Sequence, residues 1–277
     1  MKTRFGWALA STLLIASMGS ALAADLAPAP AYTKAPVMAP VANWTGFYIF
    51  GGGGGGVWDA DTFTVNPFTG NCVLCAHQTQ GGSGYFGTVG AGYDWQFNTS
   101  WVAGLFADGQ FGSLKGTIQD QGPFFVGSEK LKDTWAVGVR LGYLVAPNVF
   151  SYVNAGYTGS NWSGTTMMLA QTLNTTPFGT PSFSRNGWFV GGGVENNLNI
   201  FGISAPGWFM KTEYRMAYFD GINLTDSVPG GAAAVVVPGV GAFANPQSSI
   251  HFKPDVQTIS TSLVYRFNWG GPLVAKY

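Results

Sequence analysis

The feature that most constrains this sequence is a period-two alternation of apolar and polar residues, repeated in segments along the chain. In the segment 84–95, Tyr85, Val89 and Tyr93 share one face, and Thr88 and Asp94 share the other. Successive side chains of a β-strand point to opposite faces, so this repeat predicts strands with one apolar face. Including a first, glycine-rich strand that shows no alternation, we predict eight strands, at 45–57, 84–95, 100–112, 132–145, 149–160, 186–197, 207–219 and 256–269.

Eight charges inside these predicted strands fall on the face with small and polar residues. Exposing that face to lipid would cost about 2–4 kcal/mol for each Arg or Lys at the membrane midplane. We therefore expect the apolar face to meet lipid and the charges to neutralise one another inside a closed barrel. This predicted interior network has four acids and four bases: Asp94, Asp108, Glu195, Glu213, Arg140, Lys211, Arg215 and Arg266.

The gaps between predicted strands alternate in length. Residues 58–83, 113–131, 161–185 and 220–255 are long gaps, 96–99 and 146–148 are tight turns, and 198–206 is intermediate. Short turns on one side and long loops on the other are typical of outer-membrane barrels. With 46% hydrophobic and only 9% charged residues, the chain is predicted to be all-β: an eight-stranded antiparallel up-and-down transmembrane β-barrel.

The N-terminus has the pattern of an export signal. Lys2 and Arg4 precede the apolar run Trp7–Met18, and Ala21-Leu22-Ala23 is a small-x-small cleavage site. A membrane anchor is the alternative, but the run is shorter than the roughly 20 residues that a spanning helix needs. We predict a cleaved signal peptide at 1–23, a periplasmic Pro/Ala-rich linker at 24–43 and an outer-membrane barrel at 44–277.

Neither the charge balance nor the few reactive residues point to nucleic acid or catalysis. The chain carries 13 Lys and Arg against 13 Asp and Glu, which argues against a nucleic-acid partner. Cys72 and Cys75 are expected to form a disulfide in the first loop, and a cofactor role with His77 is the weaker alternative. A hydrolase built on His251 with Ser248 or Ser249 has no supporting motif, so we predict no enzyme, metal or cofactor.

The two ends of the predicted barrel, Asn43-Trp44-Thr45-Gly46-Phe47-Tyr48-Ile49 and Leu263-Val264-Tyr265-Arg266-Phe267-Asn268-Trp269, resemble a known family. It is the small porin-like surface-antigen family of alphaproteobacterial outer membranes, of the OmpA/OmpX type of eight-stranded barrels. The unbroken run Gly51–Gly56 departs from that family's separated glycines. The resemblance implies insertion by the outer-membrane assembly machinery, through a signal formed by Leu263, Tyr265, Phe267 and Trp269, with Tyr277 as a competing terminal aromatic.

The size of the barrel leads to a functional expectation. The interior of an eight-stranded barrel is just wide enough to be filled by side chains. We expect a structural, surface-exposed protein that supports the envelope, and the alternative is a porin-like passive channel for small solutes. A soluble periplasmic ligand-binding barrel is a third possibility, disfavoured by the apolar outward stripes. The expected partners are outer-membrane lipid and lipopolysaccharide, the assembly machinery, and unknown extracellular ligands of the loops.

Overall fold

The computed structural model describes residues 43–120, 125–200, 203–228, 230–231, 233–239 and 241–267. The predicted signal peptide, all but the last residue of the linker, and Trp269 and Tyr277 lie outside the described residues. Within them, no helix is long and apolar enough to cross a membrane. The regular elements there are strands: β1 (Gly46–Val65), β2 (Cys72–Phe97), β3 (Trp101–Asp120), β4 (Phe125–Ala146), β5 (Val149–Trp162), β6 (Thr165–Leu169), β7 (Thr175–Thr180), β8 (Phe183–Ile200), β9 (Ile203–Phe219), β10 (Ile222–Asp226), β11 (Ala234–Val237), β12 (Gly241–Ala244) and β13 (Ser248–Arg266).

Eight of these strands form a closed antiparallel ring in the order β1-β2-β3-β4-β5-β8-β9-β13. The last strand pairs back onto the first, with Tyr48 opposite Arg266. Each of the eight strands of this ring therefore pairs with two neighbours, as a barrel in a membrane requires. The predicted eight-stranded up-and-down barrel is confirmed, and the hexaglycine run lies inside β1.

One end of the ring has short connections and the other has long ones, as the gap lengths in the sequence predict. Tight connections follow β2, β4 and β8, and we call this side the turn end. The opposite side, the loop end, carries residues 66–71, the β6–β7 hairpin, the β11–β12 hairpin and β10, which extends the wall by pairing with β13.

The middle of the barrel has an apolar outer surface. Val89, Leu105, Val139 and Val153 point outward and are exposed on four different strands. Outward aromatic side chains cluster near both edges of this apolar belt, from Trp101 to Phe111 on β3 for example. Ten residues at about 3.4 Å per residue, tilted by about 40°, span about 26 Å, which matches the roughly 25 Å apolar band of outer-membrane barrels.

Beyond the belt, toward the loop end, the alternation continues with its two faces exchanged. In β1, Trp58 and Ala60 point inward and are buried, whereas Asp59 and Asp61 point outward. Apolar-in and polar-out is the pattern of a sheet that faces water. The barrel wall therefore continues past its apolar belt as a water-facing extension with an apolar core.

This extension corrects the predicted loops. The gaps 58–83 and 113–131 are strand for most of their length, because β1 and β2 are joined only by residues 66–71 and β3 runs to Asp120. The predicted gaps at 161–185 and 220–255 likewise contain β6, β7, β10, β11, β12 and the first part of β13. The sequence prediction rests on strands whose apolar residues face outward, whereas strands of the extension carry their apolar residues on the inner face.

Glycines on the inner face make room for aromatic rings in the narrow lumen. A Cβ placed on Gly90 would lie 2.4 Å from the Phe50 ring, and one on Gly92 would lie 2.3 Å from the Tyr48 hydroxyl. A larger residue at either position would displace these rings, since packed interiors leave no spare volume. Gly90 and Gly92 therefore leave the space that the Phe50 and Tyr48 rings occupy in the lumen.

Candidate functional site

The charged residues predicted on the polar strand face all lie inside the barrel, in two layers. The turn-side cluster consists of Asp94, Arg140, Glu195 and Arg266, all at most 4% exposed. Arg140 donates from Nε to Asp94 Oδ1 at 2.9 Å and from Nη2 to Oδ2 at 2.5 Å, and its Nη1 lies 3.3 Å from Glu195 Oε2. Arg266 donates to Glu195 Oε1 at 2.8 Å and lies 2.8 Å from Asp94 Oδ2.

These four residues come from β2, β4, β8 and β13, which are alternate strands around the ring. The cluster therefore ties together strands that share no backbone hydrogen bonds. Aromatic rings complete the layer, with the Arg140 guanidinium 4.2 Å from the Tyr48 ring centre and that of Arg266 4.4 Å from Trp44. Such contacts are strongest where water is excluded.

The loop-side cluster consists of Asp108, Lys211, Glu213 and Arg215. Arg215 on β9 forms a bidentate pair with Asp108 on β3, directly across the lumen, at 2.9 and 2.6 Å, and also donates to Glu213 at 2.7 Å. Lys211 Nζ lies 3.5 Å from Glu213 Oε2, and the Tyr152 hydroxyl donates to that same oxygen at 2.8 Å. Buried charges are tolerated only when paired and hydrogen-bonded, and each cluster has two acids and two bases.

The two clusters and their aromatic neighbours occupy the lumen within the apolar belt. Phe50, Phe106, Phe189 and Phe209 are buried there together with the ion pairs. Arg215 lies against the Phe189 ring at 4.6 Å. Across this part of the barrel, side chains rather than an open channel fill the space.

The loop end holds a cavity of about 780 Å³. Its wall is mainly apolar and includes Val65, Pro67, Val73, Leu169 and Phe243. Polar side chains also line it, among them Thr64 on β1 and the consecutive residues Gln247 and Ser248. A concave, mostly apolar surface with a few convergent polar groups is typical of ligand-binding sites.

Two buried carboxylates in the water-facing extension are strongly perturbed. Glu129 on β4 is 0% exposed, and burial raises the pKa of its carboxyl to about 7. Asp226 on β10 is also 0% exposed, and burial together with the nearby Asp120 carboxylate raises its pKa to about 7. Neither residue was among the predicted sites, because both lie in segments that we had interpreted as loops.

The predicted cysteine and histidine residues lie on strands and not in loops, which corrects their placement. Cys72 and Cys75 form a disulfide at the start of β2, with a Cα–Cα distance of 5.6 Å. His77 and His251 face outward on either side of Phe63, with ring centres 4.8 and 4.6 Å from it. β2 and β13 both pair with β1, so their outward-facing histidines meet at Phe63. A sequence prediction that treats these segments as loops cannot show this contact.

His251 is not arranged as the base of the hydrolase that was considered as an alternative. Its Nδ1 is 2.8 Å from Asn223 Oδ1 rather than from a carboxylate. Ser248 instead donates to Asp120, and Ser249 shares a hydrogen bond with Thr225 at 2.9 Å. A nucleophile must lie within reach of its base, and the two predicted serines hydrogen-bond elsewhere.

The described part of the predicted assembly signal lies on the outside of the barrel. Leu263 and Phe267 are 48% and 56% exposed, and Tyr265 packs between the Trp208 and Phe267 rings at 5.1 Å from each. They sit at the turn-end edge of the apolar belt. Their recognition by the assembly machinery stays a prediction.

The sequence matches a known family of proteins. Residues 12–267 match the family described as "Outer membrane protein beta-barrel domain". The chain is 29% identical over 215 residues, 75% of its length, to the 31 kDa outer-membrane immunogenic proteins of Brucella melitensis and Brucella suis, covering 84% of each. Among solved structures, OprG of Pseudomonas aeruginosa aligns with a TM-score of 0.44 at 12% identity, over 82% of this chain and 99% of OprG. The chain belongs to the outer-membrane β-barrel family and is a protein of the Gram-negative outer membrane.

Proposed function

We propose that this protein is a structural, surface-exposed barrel that supports the outer membrane and presents its loop end to extracellular partners. The filled lumen is the observation that carries the proposal. Arg215 and Asp108 meet across the ring from opposite walls, and the turn-side cluster joins four alternate strands. Opening a path for solutes would require separating charges that are costly to leave unpaired in a buried site.

Single-channel recording in planar bilayers tests this proposal against the porin-like alternative. We expect the purified protein to show no steady ohmic openings, because both charge layers obstruct the lumen. Arg140→Ala should create a residual path and brief openings, whereas Lys115→Ala, on the outer surface, should change nothing. Steady ohmic conductance of the unmodified protein would favour the passive channel for small solutes.

Surface presentation is supported by the water-facing extension and by the similarity to the 31 kDa outer-membrane immunogenic proteins of Brucella. An epitope inserted in residues 66–71, at the loop end, should be labelled by antibody on intact cells. The same epitope inserted between Ala146 and Val149, at the turn end, should be labelled only after the outer membrane is permeabilised. The reverse pattern would contradict the proposed orientation. The loop-end cavity is the place where we expect extracellular ligands to bind.

A group of lysines supports association with lipopolysaccharide. Lys115 and Lys130 lie directly opposite each other on β3 and β4, just beyond the aromatic edge of the belt, and Lys132 is exposed nearby. Like charges directly opposite destabilise a sheet, and an anionic lipid phosphate between them would relieve this repulsion. Replacing all three by Gln should reduce the lipopolysaccharide that remains bound through purification. Lys253→Gln serves as the control, because Lys253 lies opposite Asp61.

A further inference from the structure

Four polar side chains lie on the inner face of the barrel at its loop end, and two of them, Thr64 and Ser248, also line the cavity. They come from four strands: Thr64 on β1, Asp120 on β3, Asp226 on β10 and Ser248 on β13, and each is at most 5% exposed. Thr64 Oγ1 donates to Asp120 Oδ1 at 2.7 Å, and Ser248 Oγ donates to Asp120 Oδ2. We call this group the oxygen cluster.

Asp226 is the member that the protein leaves unsatisfied. It is 0% exposed, and among the described residues neither of its carboxylate oxygens has a hydrogen-bond partner. Its strand register places it opposite Ser248, whose hydroxyl already donates to Asp120. A buried carboxylate without a partner costs several kcal/mol unless it is neutralised.

Gln247, which precedes Ser248 in the chain, offers a further buried oxygen. Its backbone N–H donates to the Asp226 carbonyl oxygen at 2.8 Å, and its side-chain Oε1 is buried with no hydrogen-bond partner in the described part of the chain. Gln247 and Ser248 also line the loop-end cavity, so the cluster can be reached from that cavity. Two carboxylates, hydroxyl oxygens and an amide oxygen form a ligand set without nitrogen or sulfur.

We propose that the oxygen cluster binds a divalent cation of the calcium class, with Asp120 and Asp226 as the charged ligands and Ser248, Thr64 and Gln247 supplying neutral oxygens. Calcium takes six to eight oxygen ligands from carboxylates, carbonyls and water. The ion would neutralise Asp226 and link β1, β3, β10 and β13. It would therefore hold the closure of the extension at the loop end.

Calcium titration of the mature protein, refolded in detergent and stripped with EDTA, tests the site. We expect one calcium ion per chain, with a Kd of about 10⁻⁴–10⁻³ M as in extracellular calcium modules. We also expect calcium to raise the temperature at which the folded form disappears in gel-mobility assays. Asp226→Asn should weaken binding about tenfold or more, because affinity follows the number of charged ligands. Asp59→Asn, which removes an outward carboxylate from the same extension, should bind like the unmodified protein.

A variant that loses a neutral oxygen keeps the test valid if Asp226→Asn fails to fold. Gln247→Ala leaves both carboxylates in place and should weaken calcium binding several-fold. An unmodified protein that neither binds calcium nor gains thermal stability from it would overturn the proposal and leave Asp226 neutralised by a proton. Equal losses in Asp226→Asn and Asp59→Asn would also overturn it, because binding would then reflect overall surface charge.

Discussion

Removing Arg140 is the most direct test of the charge layers as structural elements. Arg140→Met keeps an unbranched side chain in the lumen but leaves Asp94 and Glu195 with Arg266 as the remaining cation of the turn-side cluster. The substitution removes three charge-assisted contacts, at 2.5, 2.9 and 3.3 Å. Breaking a buried pair by deleting one partner costs about 3–5 kcal/mol, which is about a 10²- to 10³-fold or larger change in the folding equilibrium.

The assay is equilibrium unfolding in urea of the protein folded into lipid vesicles, followed by tryptophan emission. We expect Arg140→Met to lose about 3–5 kcal/mol, whereas the outward-facing Lys115→Met, which removes the repulsion with Lys130, should lose no stability. The double variant Arg140→Met with Asp94→Asn leaves a neutral pair of Glu195 and Arg266, so it should be more stable than Arg140→Met alone. A loss under about 1 kcal/mol for Arg140→Met, or a double variant less stable than the single one, would refute the reasoning.

Three further predictions test the fold and its extension. Burial raises the pKa of Glu129 to about 7, so the stability that its protonated carboxyl contributes is fully present below pH about 4.5, and about 3 kcal/mol is lost as pH rises through 7. Glu129→Gln does not titrate, so in urea unfolding its stability relative to the unmodified protein should increase between pH 5 and 8. Parallel stability curves for the two proteins over this pH range would count against the buried acid. In Gly54→Ala the new Cβ would lie 2.1 Å from a backbone oxygen, whereas in Gly51→Ala the nearest atom is 3.8 Å away. The same unfolding assay should show a loss of about 1–3 kcal/mol for Gly54→Ala and little change for Gly51→Ala. Equal losses in the two variants would contradict the register of β1. Brominated acyl chains should quench the emission of a single-tryptophan variant that keeps Trp135, 40% exposed, far more than one that keeps Trp58, 1% exposed, and equal quenching would disprove the assigned faces.

The alternation of side chains is a local property, so the sequence alone was enough to predict the class of fold. A strand has only two faces, and a charge such as Arg140 or Arg215 cannot face lipid without a large cost. That constraint, together with the gap lengths, predicts a closed ring of eight antiparallel strands. It also predicts that the tight turns lie together at one end of the ring. The family assignment by the end motifs agrees with it.

The tertiary structure decided which charges meet and where the barrel ends. Alternation indicates that Arg215 and Asp108 point inward, but their pairing across the lumen depends on strand stagger, which no local pattern encodes. The predicted strands were too short because the surroundings of the barrel wall change from lipid to water along β1. From Trp58 onward the apolar residues face inward and the polar residues face outward, so the alternation used for the prediction no longer applies. The oxygen cluster was missed for a related reason: Thr64, Asp120, Asp226 and Ser248 are far apart in the chain, and only closure of the ring brings them together.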